Sequence, residues 1–408
     1  MSKCYKLLIR TLGRDILTDM VSSHLFATVL ATLTLLLTPT AAYSRRACQL
    51  PTRDPLSGCP KGTILVGPSS KFTTVQSAIL SLPKNTVPYT ILITPGNYTE
   101  QLNVTRPGPV TLLGQTRHPN VATLNAVNII WSNATGTATT GTYDNLYTST
   151  LTIAPTLNSS ATGAGAQGNP VPADTPFGNT NFRAYNIDFR NVYRPYSAGP
   201  SLALSVSYAN AGFYYCGFYS HQDTVYIGKL GNSYMYHSII AGQTDFFYGF
   251  GTLWVQSSDV LMRGCGGGIT AWKGANTTFE NKYGVYIHDS NVRKENATLS
   301  ITKQCALGRP WNALHRSIFA RCELDDSIRD SGYIIWSASD TRNGINTTMA
   351  EYNDYGPGFN LTGRRVANVT KLFNDKQYEP YSSLEKVFQY PFTGKFGNTD
   401  WIDRKPEA

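Results

Sequence analysis

Two short segments of the chain place carboxylates at a spacing that suits acid–base chemistry. Gln222-Asp223-Thr224-Val225-Tyr226 and Asp245-Phe246-Phe247-Tyr248-Gly249 put their first acidic residues 22 positions apart. If that interval is one turn of a solenoid, Asp223 and Asp245 stand on adjacent parallel strands of one sheet, ~4.8 Å apart. Carboxylates that close do not ionise independently, so one pKa is expected to rise and the other to fall. Such a split supplies a general acid and a nucleophile from a single residue type. The plainer reading is that an Asp near a strand end caps a turn, and each segment taken alone fits it.

The surrounding chain has the elements such a site needs. Short apolar runs recur at Phe182–Phe189, Leu202–Val206, Phe213–Tyr219, Thr224–Ile227, Tyr234–Ile240, Asp245–Phe250 and Leu253–Val255, separated by Gly, Asn, Asp or Ser. That spacing also suits a β-sandwich, whose strands would alternate apolar and polar residues. Several of these runs are apolar almost throughout, as parallel strands covered on both faces are. Two strands per coil of ~22 residues would make a solenoid in which each coil buries its neighbour's face. Upstream, Phe72–Pro83 has apolar spacing for a short helix stopped by Pro83, and Tyr89–Ile93 and Val110–Leu113 read as strands. Residues 132–180, rich in Gly, Ser, Thr, Ala and Asn, read as long loops.

The ends of the chain and its composition set the compartment. Lys3, Lys6, Arg10 and Arg14 precede an apolar run from Leu25 to Leu37 and then Pro39-Thr-Ala-Ala42, the order of an export signal. The run is too short to cross a bilayer of ~30 Å as a helix. Sequons begin at Asn97, Asn103, Asn133, Asn158, Asn276, Asn296, Asn346, Asn360 and Asn368. Beyond Cys4 there are six cysteines, and an even count in an exported chain favours disulfides, with Cys48–Cys59 the best local pair. Net charge is +9, yet no basic run carries interleaved aromatics, which argues against nucleic acid and leaves an acidic polymer as partner. The expected organisation is a signal peptide (1–42), an irregular lead-in (43–68), a β domain (69–395) and a tail (396–408). The mature protein is expected to be extracellular, monomeric and unattached to membranes.

From Phe72 to about Gly363 the chain resembles the pectin methylesterase family, in a fungal-type secreted form. The resemblance rests on six segments in order: Phe72-Thr-Thr-Val-Gln-Ser-Ala-Ile79, Gly96-Asn-Tyr-Thr-Glu100, Gln222-Asp-Thr, Asp245-Phe-Phe-Tyr-Gly249, Leu307-Gly-Arg-Pro-Trp311 and Glu351-Tyr-Asn-Asp-Tyr-Gly-Pro-Gly358. It implies an all-β fold, a right-handed parallel β-helix with a short N-terminal helix and long loops. It implies hydrolysis of methyl esters of pectin (homogalacturonan) with no cofactor and no metal. Asp245 would be the nucleophile and Asp223 the acid and then the base. Arg309 would hold Asp245 ionised, and Gln222 would donate to the oxyanion. Trp311 would stack on a sugar ring, with Tyr248, Phe246 and Trp272 as further substrate contacts.

Three positions depart from the family pattern. A second glutamine is expected one coil before Gln222, but Pro200-Ser-Leu-Ala-Leu204 offers Pro200, which has no N–H to give. Either Ser201 or a backbone N–H replaces it, or catalysis is weakened and the protein mainly binds pectin. Trp272 stands where many members carry glutamine, and either widens an aromatic platform or packs. Cys216 meets Ser238 one coil on, so it either pairs with Cys265 or stays free. There is no Gly-x-Ser-x-Gly elbow for a serine esterase and no acidic cluster of the kind a calcium-dependent lyase on this architecture would need. His221 is the one histidine near the proposed site and reads as structural.

Overall fold

A computed structural model describes residues 44–136, 143–162 and 171–407. The export signal lies outside the described residues. Strands stack into an 11-stranded, an 8-stranded and a 6-stranded sheet, and every pairing between these strands is parallel. One coil runs Asn210–Tyr214, Gly217–Tyr219, Val225–Ile227 and returns at Asn232, which pairs with Asn210. The molecule is a right-handed parallel β-helix, and the antiparallel sandwich is excluded. Each coil holds three strands, not two. The runs Phe182–Phe189, Phe213–Tyr219 and Tyr234–Ile240 each bend through a single residue of positive φ: Asn186 (53°), Tyr215 (55°) and His237 (45°). One residue turns the chain into the next sheet without interrupting the apolar pattern, so the sequence reads as one strand what the fold uses as two.

The interior is filled by coil-related apolar residues, among them Phe213, Phe218, Val225, Ile227, Met235, Ile240, Phe247, Leu253 and Val255, all fully buried. At the corner after the 11-stranded sheet a second ladder forms. The N–H of Cys216 donates to Ser238 Oγ (3.2 Å), Ser238 to Ser258 Oγ (3.0 Å), Ser258 to Ser290 Oγ (3.1 Å) and Cys322 to Asp354 Oδ1 (2.8 Å). These bonds satisfy backbone donors that the bend would otherwise strand in the interior. Cys216 is a free, buried thiol, as is Cys322. Cys265 is taken by Cys305, and Cys48 pairs with Cys59 as expected.

The family signatures at the two ends are structural. Helix α1 (Arg45–Gln49) and the strand Ile64–Val66 lie in the stretch read as irregular, and Ile64–Val66 opens the large sheet against Ile91–Ile93. Helix α2 (Val75–Leu80) is capped by Thr74, and Glu100 accepts from the N–H groups of Val75 and Gln76 (2.8 Å each). A carboxylate at a helix start satisfies orphan donors and meets the positive end of the helix dipole. At the other end Arg364, on helix α3 (Leu361–Ala367), is fully buried and forks onto Glu351 (2.7 and 3.0 Å). Residues 396–407 dock on the outer face of the large sheet. Tyr185 donates to Asp403 (2.7 Å), Tyr236 to Glu407 (2.5 Å), and Trp401 is buried. Among the described residues no helix is long and apolar enough to cross a membrane.

Candidate active site

The smallest sheet includes β1 (Leu204–Val206), β2 (Val225–Ile227), β3 (Phe247–Gly249) and β4 (Thr270–Trp272), and the two carboxylates lie just ahead of β2 and β3. Val225 pairs with Phe247, so Asp223 and Asp245, each two residues upstream, stand in register one coil apart. Both have positive φ, 60° and 47°, a region that Asp tolerates better than most residues but that still stores strain. The N–H of Asp223 donates to Thr244 O (3.0 Å) and that of Asp245 to Gly268 O (2.7 Å), so the neighbouring coil fixes each bend. Just ahead of Asp245 the pairing of Ile239–Thr244 with Asp259–Gly266 slips between Gly242 and Thr244. A bulge of this kind re-aims the chain beside it.

Arg309 closes the constellation. Its Nε donates to Asp245 Oδ1 (3.0 Å) and its Nη2 to Oδ2 (2.6 Å), while the Gly268 N–H also reaches Oδ1 (3.0 Å). Asp223 accepts from Asn145 Nδ2 (3.3 Å). Gln222 has its side-chain oxygen held by Ser197 Oγ (2.8 Å) and the Gly199 N–H (3.2 Å). A backbone N–H can only donate, so the atom it faces is the carbonyl oxygen, and the NH₂ is the end left for a ligand.

Both carboxylates are nearly buried, each 8 % exposed. Burial pushes both pKa values up, which corrects the expectation that one would fall. The split survives in degree. Asp223 is driven well above the usual carboxylate range by burial and then by the charge of Asp245. For Asp245 the rise from burial is opposed by the Arg309 fork and the Gly268 N–H. These surroundings favour the proton on Asp223 over Asp245.

A family model described as Pectinesterase matches residues 172–387, more than half of the chain. The chain belongs to the pectinesterase family. Probable pectinesterase A of Aspergillus niger is 28% identical over 355 residues, covering 86% of this chain and 91% of its own length. Pectinesterase A of Emericella nidulans is 29% identical over 296 residues, 72% and 76% of the two chains. Of solved structures, the Aspergillus niger pectin methylesterase superposes with a TM-score of 0.64 at 24% identity, over 85% of this chain and 98% of that one. The carrot enzyme gives 0.60 at 20% identity, over 78% and 89%. The protein is thus a carbohydrate esterase of pectin demethylesterification.

Against that family frame, the expected aromatic contacts divide. Trp311 is half-buried beside the site, 5.5 Å from the Tyr248 ring and 5.9 Å from Phe250, with Lys273 Nζ 3.3 Å from its centre. Tyr248 is 2 % exposed and supports Trp311 from below. Phe246 and Trp272 are wholly buried in the main core, and the Trp272 Nε1–H is spent on Gly251 O (3.1 Å). Full burial removes both from a sugar's reach, so Trp272 packs and does not widen a platform. At the pectinesterase glutamine position, Pro200 is followed by Ser201, whose N–H donates to Gln222 O (3.0 Å) and whose hydroxyl bonds Ser220 (2.8 Å). Ser201 is thereby committed and does not replace the missing donor.

Three neighbours escaped the sequence reading. Asn145 sits in the stretch 132–180 read as long loops, on a 3₁₀ turn (Asn145–Thr148). Trp336 has the guanidinium carbons of Arg309 and Arg342 each 3.9 Å from its ring centre, and nothing in its local sequence marks it. Gly267 has φ +63°, and a Cβ there would lie 2.5 Å from Asp245 Oδ1 and 2.7 Å from Arg309 Nη2. The run Gly266-Gly-Gly268 was the available signal for it.

Proposed function

We propose that Asp245 and Asp223 divide the chemistry of pectin demethylesterification as nucleophile and acid–base. Asp245 attacks the carbonyl carbon of a galacturonate methyl ester. The C–OCH₃ bond breaks, the methoxide takes the proton carried by Asp223, and methanol leaves a mixed anhydride on Asp245. Asp223, now ionised, takes a proton from water, and the hydroxide attacks the anhydride carbonyl. Asp245 departs as a carboxylate, and the polymer keeps a free acid. Because Asn145 donates to Asp223 Oδ2, Oδ1 is the oxygen suited to carry the proton. The Gln222 NH₂ donates to the tetrahedral oxyanion, a contact worth roughly 10²–10³ in rate. Trp311 offers its face to a sugar ring.

The observation that carries this reading is the two-point Arg309 fork on one of two in-register buried carboxylates. Without the fork the pair would share one proton. The net charge of +9 suits a polyanionic substrate. Two disulfides and the sequons support action outside the cell. The test is methanol release from methylated pectin by the purified protein, with Asp245→Ala expected to lower it by about 10⁴-fold. Turnover retained by Asp245→Ala would overturn the assignment.

A further inference from the structure

The ring of Trp311 is backed by a buried lysine that the chemistry above does not use. Lys273 follows β4 directly, and its backbone N–H donates to Gly249 O (2.8 Å). The Trp311 N–H donates to Trp272 O (3.2 Å), which sets Trp311 beside Lys273 from the next coil. Lys273 Nζ lies 3.3 Å from the centre of the Trp311 ring. An approach in the ring plane would be stopped farther out by the ring atoms, so the ammonium stands over a face. Lys273 is fully buried, whereas Trp311 is partly exposed. The face under the cation is therefore the inner one, and the outer face is the one a sugar can reach. Tyr248 and Phe250 meet the ring at 48°, so neither stacks flat on it. The flat contact belongs to the lysine.

An ammonium over an indole is drawn to the negative face of the ring, most strongly where water is excluded. Other cations crowd this one. Burial first, then Arg342 and Lys229, push the Lys273 pKa down to about 7. Arg342 is fixed by Asp340 (2.8 Å) and donates to Trp311 O (3.2 Å). Lys229 shares the Phe250 ring with Lys273, at 5.9 and 4.9 Å. His315, bonded to the Trp272 N–H, is kept neutral, its pKa pushed down to about 3 by burial.

We propose that Lys273 is a positioning residue for substrate: its ammonium, pressed on the inner face of Trp311, holds the indole flat for a galacturonate ring on the outer face. The proposal rests on the esterase reading and adds to it a residue buried behind the platform. The charge is present at acidic pH and is lost as pH rises through about 7, so the grip on the sugar should slacken over the same interval.

The test uses the Asp245→Ala protein and the trimethyl ester of trigalacturonate, which carries no charge to be attracted by a lysine. Calorimetry at about pH 5.5 should give about tenfold weaker binding when Lys273→Met is added, since methionine keeps the stem and drops the charge. Between about pH 5.5 and about pH 8.5 binding should weaken about fivefold with Lys273 and stay level with Lys273→Met. Asp223 is present in both proteins, so its own titration cancels in the comparison. Equal affinity at the lower pH, or the same pH dependence in both, would overturn the proposal. Should Lys273→Met not fold, Trp311→Leu removes the ring instead, and a pH dependence that survives in it would overturn the proposal equally. In the active enzyme Lys273→Met should raise KM about tenfold and leave kcat within about twofold; a fall in kcat at unchanged KM would count against a platform role. Absence of methanol release from the wild type would instead strike the esterase reading and leave the binding comparison standing.

Discussion

Two bends of the same coil use one backbone device for opposite ends. At the corner after the large sheet, Tyr215, His237 and Ser257 turn the chain in the left-handed region. The residues that follow, Cys216, Ser238 and Ser258, hand each buried N–H to a hydroxyl on the next coil. At the corner ahead of the small sheet, Asp223 and Asp245 turn the chain in the same region. There the side chains stacked coil on coil are carboxylates, and stacking sets them against each other. Neutral hydroxyls make repetition cohesive, whereas acids make it a store of electrostatic tension that a cation from a distant coil must hold.

The comparison can be broken hardest at the cation. Arg309→Ala should cut methanol release by about 10³-fold. It should also move the acid limb of the pH–rate profile to higher pH, because the Asp245 pKa rises when the fork is removed. A profile that only scales down, without moving, would mean that Arg309 does not set the charge on Asp245. Next in size is Gly267→Ala, where a Cβ crowds both partners of the fork. A loss of about 10²-fold in kcat is expected, with about 1 kcal/mol lost from the fold through the left-handed backbone. Wild-type kcat in Gly267→Ala would show the fork to be more tolerant than its geometry implies.

Asp223→Asn separates catalysis from stability. Activity should fall by at least about 10²-fold with loss of the acid. Stability should move the other way. The folded pKa of Asp223 lies above its unfolded value, so its favourable neutral form is fully present at low pH and is lost as pH rises through the folded pKa. Asparagine stays neutral, and its Tm advantage over wild type should therefore be small at pH 4 and grow toward pH 8. A Tm difference that does not vary with pH would contradict the tension ascribed to this corner. The smallest effect belongs to the cohesive ladder: Ser258→Ala should cost about 1–2 kcal/mol by stranding the Ser238 N–H, with kcat unchanged. A fall in kcat comparable to that of Gly267→Ala would erase the distinction between the corners.

What the sequence disclosed follows the physics of short range. Repeating apolar runs allowed a solenoid or a sandwich and the family resemblance chose the solenoid, while the 22-residue interval placed Asp223 opposite Asp245 correctly. The third strand of each coil was hidden because one left-handed residue, such as Tyr215, leaves no gap in an apolar run. Family motifs brought Arg309 to Asp245 across 64 positions, which periodicity could not do. Trp272 and Phe246 show the limit of reading aromatics by type: strand alternation and neighbouring bulk decide whether a ring faces core or solvent, and both face the core. Asn145 and Trp336 were illegible because their contacts depend on loop paths that carry no repeat.

The docked C-terminal segment changes what kind of object the solenoid is. A stack of coils ordinarily gains stability only between neighbours and can fray from either end. Here Asp403 grips Tyr185, 218 residues earlier, and Glu407 grips Tyr236. This docked segment belts the middle of the stack from outside, so that partial unravelling of those coils must first unbuckle it.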